Sequence, residues 1–92
     1  MRDVLAIQAD GKYTQVCCGD GRDYQVRQSL LEWERRLPAE LFVRLERGLI
    51  VNLAKIRDVQ LHARTATFAM GEARRMFDVG RAAAKKLRRL LE

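Results

Sequence analysis

The sequence predicts a mostly β fold of the α+β class: antiparallel strands, one central helix and an amphipathic helix at the C-terminus. Three observations carry that expectation. Short runs rich in β-branched, aromatic and Cys residues, separated by Gly-containing turns, fill the first third of the chain, and strand-like runs return after Ile56. A capping signature at Ser29 opens a stretch of helical spacing. The tail Arg81–Leu91 sorts apolar from basic residues at the helical period.

Each element has its own local reason. Val4–Ala9 is a weakly apolar β-like run, and Asp10-Gly11 is a turn signal. Tyr13–Cys18 reads as a strand, Gly19-Asp20-Gly21 breaks it, and Tyr24-Gln25-Val26 completes a hairpin across which Tyr13 and Tyr24 are expected to pair. Cys17 and Cys18 are neighbours, so on a strand they point to opposite faces, which lets one be core and the other exposed; two buried or half-buried thiols are expected. Ser29 with Glu32 three residues on forms a capping box. Leu30, Trp33 and Leu37 follow at helical spacing, which makes Trp33 a core residue, and Pro38 ends the helix.

Phe42–Asn52 reads as a short strand, a turn at Arg47-Gly48, a single apolar turn through Leu49-Ile50-Val51, and Asn52 as a local cap. Ile56–His62, Thr65–Met70 and Arg74–Val79 are strands joined by turns at Ala63-Arg64 and Gly71-Glu72, a three-stranded meander. In the last helix Ala83, Ala84, Leu87, Leu90 and Leu91 form one stripe opposite Arg81, Lys85, Arg88 and Arg89.

Composition bounds the function. Ninety-two residues, 48% apolar and 33% charged, suit one domain over residues 1–92 with a single small core. Eighteen Lys and Arg oppose twelve Asp and Glu, a net charge of +6. The excess is concentrated in residues 74–92, where seven basic side chains meet only Asp78 and Glu92. A basic end implies an anionic partner, nucleic acid before an anionic membrane, because the last helix lacks aromatic anchors. No apolar run approaches the roughly 20 residues of a membrane-spanning helix. Asp3 and Asp10 bracket the apolar stretch Val4–Ile7, unlike a signal peptide, and a cytoplasmic setting is expected. With one His, two adjacent Cys and no nucleophile or metal motif, neither an enzyme nor a metal or cofactor site is expected. No small-molecule substrate is evident.

Three basic spots beside apolar elements are the candidates for recognition. They are the turn around Lys12 and Thr14, the segment Arg44–Gly48, and Gly80-Arg81 with Lys85 one turn later. Arg offers a planar fork to a guanine edge or a phosphate, and a helix N-terminus behind Gly80 offers backbone N–H groups to a phosphate.

The stretch Phe42-Val43-Arg44-Leu45-Glu46-Arg47-Gly48-Leu49-Ile50-Val51-Asn52-Leu53-Ala54-Lys55-Ile56 resembles the signature of the LytTR domain, the DNA-binding output domain of LytR/AlgR-type bacterial response regulators. That signature runs F-x-R-x-H-R-S-x-I-V-N-x-x-x-I. Arg44, Arg47, Ile50, Val51, Asn52 and Ile56 match in register, with supporting matches at Tyr13, Ser29-Leu30 and Val79-Gly80-Arg81. The resemblance implies an elongated, mostly β fold whose loops, rather than a recognition helix, enter the major groove of double-stranded DNA. Carried over, the base contacts are Lys12 and Thr14, Arg47, and Arg81; Arg44 and Asn52 match as well, Asn52 also as a holder of the turn.

Three positions depart from the pattern: Glu46 stands where the family has His, and Gly48 and Gly80 where it has Ser. Set against the family pattern, the strand pair that normally opens the domain is expected to be missing ahead of Val4, which predicts an uncovered sheet edge at Val4–Ile7 and a homodimer formed through it. The function so implied is sequence-specific DNA binding in bacterial transcription regulation. The rival reading is a protein-interaction module that keeps the fold and has lost DNA binding.

Overall fold

The computed structural model describes residues 3–91. Its elements are β1 (Val4–Asp10), β2 (Tyr13–Cys18), β3 (Asp23–Val26), α1 (Leu30–Arg36), β4 (Phe42–Glu46), β5 (Leu49–Asn52), a 3-10 turn (Leu53–Lys55), β6 (Ile56–Leu61), β7 (Ala66–Met70), β8 (Arg75–Val79) and α2 (Arg81–Leu91). The strands form two antiparallel sheets, one of five strands in the order β3-β2-β1-β5-β4 and one of three in the order β6-β7-β8. The molecule measures 35 × 25 × 23 Å along its principal axes. The mostly β fold with two helices agrees with the sequence reading.

The five-stranded sheet is covered on both faces, and this explains most of its composition. On one face Ile7, Val16, Cys18 and Ile50 pack with Leu30, Leu37 and Phe42, with Trp33 of α1 at the margin. On the other, Leu5, Cys17, Leu49 and Val51 join Phe68, Met70, Phe77 and Val79 of the second sheet and Ala83, Ala84 and Leu87 of α2. Phe68 and Phe77 stack with their ring centroids 5.9 Å apart. A register shift between Val4 and Ala6 in β1 lets Leu5 and Ala6 serve the second core while Ile7 turns to the first.

Burial on both sides bears on two expectations. Cys17 and Cys18 face opposite ways and both are buried, as expected, because each face of the sheet has its own core. Leu49–Asn52 is a strand, not an apolar turn. Paired between β1 and β4 and buried throughout, it has no polar face, so the alternation that marks a half-exposed strand is absent from its sequence.

The predicted sheet edge at Val4–Ile7 is also corrected. β1 is the middle strand of five, flanked by β2 and β5, and Leu5, Ala6 and Ile7 have no exposed surface. Tyr13 and Tyr24 do not pair: Tyr13 lies opposite Asp10, and Tyr24 opposite Val16.

The local signals at turns and caps agree with the structure. Ser29 Oγ accepts the Glu32 N–H at 3.1 Å, and the Ser29 N–H donates to Glu32 Oε1 at 3.2 Å. Asn52 caps the 3-10 turn. Gly71 needs to be glycine: its φ is +71°, and a Cβ there would sit 3.0 Å from Leu5 Cδ2.

Candidate functional site

Three turns carry the candidate recognition residues, and two hydrogen bonds tie them together. The β1–β2 turn holds Lys12, the β4–β5 turn holds Arg47, and the β8–α2 junction holds Arg81; all three side chains are exposed. The Ala9 N–H donates to the Gly48 carbonyl at 2.8 Å, linking the first turn to the second. The Gly80 N–H donates to Glu46 Oε2 at 3.1 Å, linking the second to the third. Residues far apart in sequence thus converge on one end of the molecule.

The β4–β5 turn is held from within. Arg44 donates from Nε and Nη2 to the Arg47 carbonyl, at 3.2 and 2.6 Å, and from Nη1 to Glu34 Oε1 of α1 at 2.9 Å. Three of its N–H donors shape the turn that presents Arg47. Lys86 of α2 donates from Nζ to the Arg44 carbonyl at 2.8 Å, which docks the last helix on the same strand.

Two of the predicted contact residues, Thr14 and Asn52, are buried and hydrogen-bonded within the fold. Thr14 is 1% exposed; Trp33 donates its indole N–H to Thr14 Oγ1 at 2.8 Å, and that hydroxyl reaches the Val26 carbonyl at 3.4 Å. Asn52 is 8% exposed, donating from Nδ2 to the Val4 carbonyl at 3.0 Å and accepting the Ala54 N–H on Oδ1 at 3.0 Å. Each side chain has a donor and an acceptor engaged by the fold. Thr14 braces α1 against the hairpin, and Asn52 locks β5 to β1. At the mouth of α2 the Gly80 N–H is taken by the protein's own Glu46 carboxylate.

The candidate residues are divided between two surfaces. Tyr13, Thr14, Leu31, Arg44, Arg47 and Gly48 line a groove between the first two turns and α1. Arg81 and Lys85 line a separate cleft with the β6–β7 turn. No group of three or more His, Cys, Asp or Glu suited to a metal occurs among the described residues. Asp20 Oδ1 accepts the Arg22 N–H at 2.9 Å, and Asp23 binds Arg75.

Sequence reasoning missed the long-range partners. Asp23 of β3 receives both Nη atoms of Arg75 of β8, a fork that joins the two sheets. This bonding to Arg75 holds the Asp23 carboxyl below the ordinary aspartate range, and Asp23 raises the Arg75 guanidinium in turn. Burial pushes the neighbouring Cys17 thiol up. None of these pairs has a local signature, since their spacing is set only by how the sheets stack.

No helix is long and apolar enough to cross a membrane among the described residues. The sequence matches the LytTr DNA-binding domain family over residues 1–92. It is 34% identical over 89 residues to the CO-responsive transcriptional regulator RcoM of Rhodospirillum rubrum, covering 96% of this chain and 37% of that protein. The chain therefore spans little more than a third of that regulator. Among solved structures, it resembles the LytTr DNA-binding domain of a Bacillus cereus protein described as a methyl-accepting/DNA response regulator. That likeness has a TM-score of 0.81 and 28% identity, over 97% of this chain and 81% of that one.

Proposed function

Because the chain belongs to the LytTr DNA-binding domain family, we propose that it reads a specific double-stranded DNA site by inserting its turns into the major groove, as part of a bacterial transcription regulator acting in the cytoplasm. One observation carries this reading. The hydrogen bonds Ala9–Gly48 and Glu46–Gly80 gather the Lys12, Arg47 and Arg81 turns on one end of the molecule, each with its cation exposed.

In this reading Arg47 and Arg81 reach base edges, where the guanidinium fork matches guanine. Lys12 and Lys85 neutralise phosphates and set affinity rather than sequence. Thr14, Arg44 and Asn52 act as positioning residues, because their polar atoms hold the turns. Two copies on two half-sites add affinity through effective concentration. The contact between copies is not made by β1, which is internal.

Glu46 and Gly80 are two of the three departures behind the rival reading, that of a protein-interaction module. They are bonded to each other. A carboxylate engaged with a backbone N–H has a structural task, which favours DNA binding over its loss.

The test starts from a site selected out of a random duplex library. Arg47→Ala and Arg81→Ala should each cost about 1–3 kcal/mol on the selected site and much less on random duplex. Lys85→Ala should weaken both alike and lower the salt slope by about 1. Equal losses from all three changes on both DNAs would remove base reading from Arg47 and Arg81. Failure of the library to yield any enriched site would remove sequence-specific binding altogether.

A further inference from the structure

We propose that the cleft between the β6–β7 turn and α2 is a phosphate-binding site that grips the DNA backbone beside the base contact of Arg81; this rests on the DNA-binding reading above. Its walls are His62 and Arg64 from the turn and Arg81, Lys85 and Arg88 from the helix, over a floor of Leu61 and Ala84. The turn is closed by the His62 N–H donating to the Thr65 carbonyl at 2.8 Å, which puts Arg64 at the tip of the hairpin, facing the helix across the cleft.

The charge is the first argument. Arg44, Lys55, Arg74 and Arg75 each have an acidic partner. Like most cations of the described residues, Arg64, Arg81, Lys85 and Arg88 form no ion pair; what sets them apart is that they line one cleft with no carboxylate in its lining. Arg81 and Lys85 are four apart on α2, and Lys85 and Arg88 three apart, spacings at which like charges destabilise a helix. Holding four unpaired cations together is unfavourable for the protein alone and favourable once an anion sits among them. Two guanidinium-bearing elements facing each other also suit the several oxygens of one phosphate.

Size and continuity then select the anion. The cleft holds about 260 Å³, against roughly 30 Å³ for a water in the liquid, so a hydrated phosphate fits. Arg81 belongs both to this cleft and to the turn bonded to Glu46. A phosphate held here is therefore adjacent to whatever base Arg81 reaches. The β6–β7 hairpin, otherwise remote from the three recognition turns in sequence, becomes a fourth arm on the duplex.

The test uses the 92-residue chain and a random-sequence duplex, so that no base reading intrudes. Binding is followed between about 50 and about 200 mM salt. Each phosphate contact contributes about 0.9 to the salt slope, so losing one makes affinity fall roughly threefold less across that range. Arg64→Ala and Arg88→Ala should each show that smaller fall, and Arg64→Lys should keep most of the slope. Arg36→Ala, an equal loss of charge on α1, should leave the slope nearly unchanged. Equal slopes for all three Ala variants would overturn the site in favour of net charge alone. Unchanged slopes for Arg64→Ala and Arg88→Ala, with the Arg47→Ala loss on the selected site intact, would overturn the cleft and leave the DNA-binding reading standing. Inorganic phosphate titrated against the arginine Nε–H signals supplies the other arm. Saturation at micromolar phosphate, with DNA binding indifferent to Arg64 and Arg88, would make the cleft a site for a free anion and overturn the proposal.

Discussion

Glu46 Oε2 lies 3.1 Å from the Gly80 nitrogen and accepts its N–H, across 34 residues of chain. Gly80 precedes α2, and its carbonyl accepts the Ala84 N–H at 2.9 Å, the first turn of that helix. A carboxylate in this place favours the positive end of the helix dipole and holds the strand bearing Arg44 to the turn bearing Arg81. A Cβ on Gly80 would meet Glu46 Oε2 at 3.4 Å, an ordinary van der Waals contact.

Replacing Glu46 should separate charge from geometry. Glu46→Ala removes the acceptor and should destabilise the fold by about 1 kcal/mol, the usual scale of a lost cap. It should also weaken specific DNA binding, because the Arg81 turn is freed. Glu46→Gln keeps an acceptor and should lose less stability, while tightening DNA binding at low salt by removing a negative charge near phosphates. Urea denaturation and binding isotherms at two salt concentrations check both; a Gln variant that binds no better at low salt would mean the carboxylate is already screened from DNA.

Thr14 should behave as a structural hydroxyl. Thr14→Val leaves the Trp33 indole N–H without its 2.8 Å acceptor. The loss should be about 1–3 kcal/mol of stability, with Thr14→Ser recovering most of it. Trp33 is the single tryptophan, so its fluorescence reports the change directly. A Val variant as stable as the parent but defective on specific DNA would return Thr14 to the contact residues.

Arg44 should tolerate no conservative change. Lys has no fork with which to hold both the Arg47 carbonyl and Glu34, so Arg44→Lys should lose specific affinity roughly tenfold while keeping its charge. Glu34→Gln should cost less than about 1 kcal/mol of stability, since the pair is substantially exposed. Comparable affinity losses for Arg44→Lys on specific and random duplex would point to a phosphate contact instead.

The Asp23–Arg75 fork should make stability depend on acid pH. The folded-state carboxyl of Asp23 is lowered, so its contribution is present above the unfolded value of about 4 and is lost as pH falls through the folded one. The stability gap between the parent and Asp23→Asn should hold steady above pH ~5 and close below pH ~4. Its size should stay within about 1 kcal/mol, because both side chains reach solvent. Denaturant melts across pH 3–7 (roughly the span over which a carboxylate titrates) check the trend, and a gap that widens toward acid pH would contradict it.

Both cysteines should resist alkylation in the native state. Each is buried, and burial raises the Cys17 thiol, so little thiolate forms near neutral pH. Labelling by a thiol reagent should become fast only in denaturant, and rapid native-state labelling would show that the sheet opens locally.

What the sequence determined by itself is what short-range physics encodes. The Ser29–Glu32 box, the stop at Pro38, the Asn52 cap, the β6-β7-β8 meander and the basic face of α2 each depend on residues within a few positions of one another. The motif from Phe42 to Ile56 added the family and, with it, the loops to watch. Tertiary structure alone decided the rest. Leu49–Asn52 became a strand because partners lie on both sides of it, and β1 became the middle of a sheet because β5 returns to pair with it. The same packing buried Thr14 and Asn52, engaged Arg44 with Arg47 and Glu34, and drew Glu46 to Gly80. Those contacts join residues distant along the chain, where no periodicity or spacing records which side chain will meet which. Arg47 and Arg81 are exposed cations in the sequence pattern and in the structure alike; that they stand on linked turns follows only from how the strands are stacked.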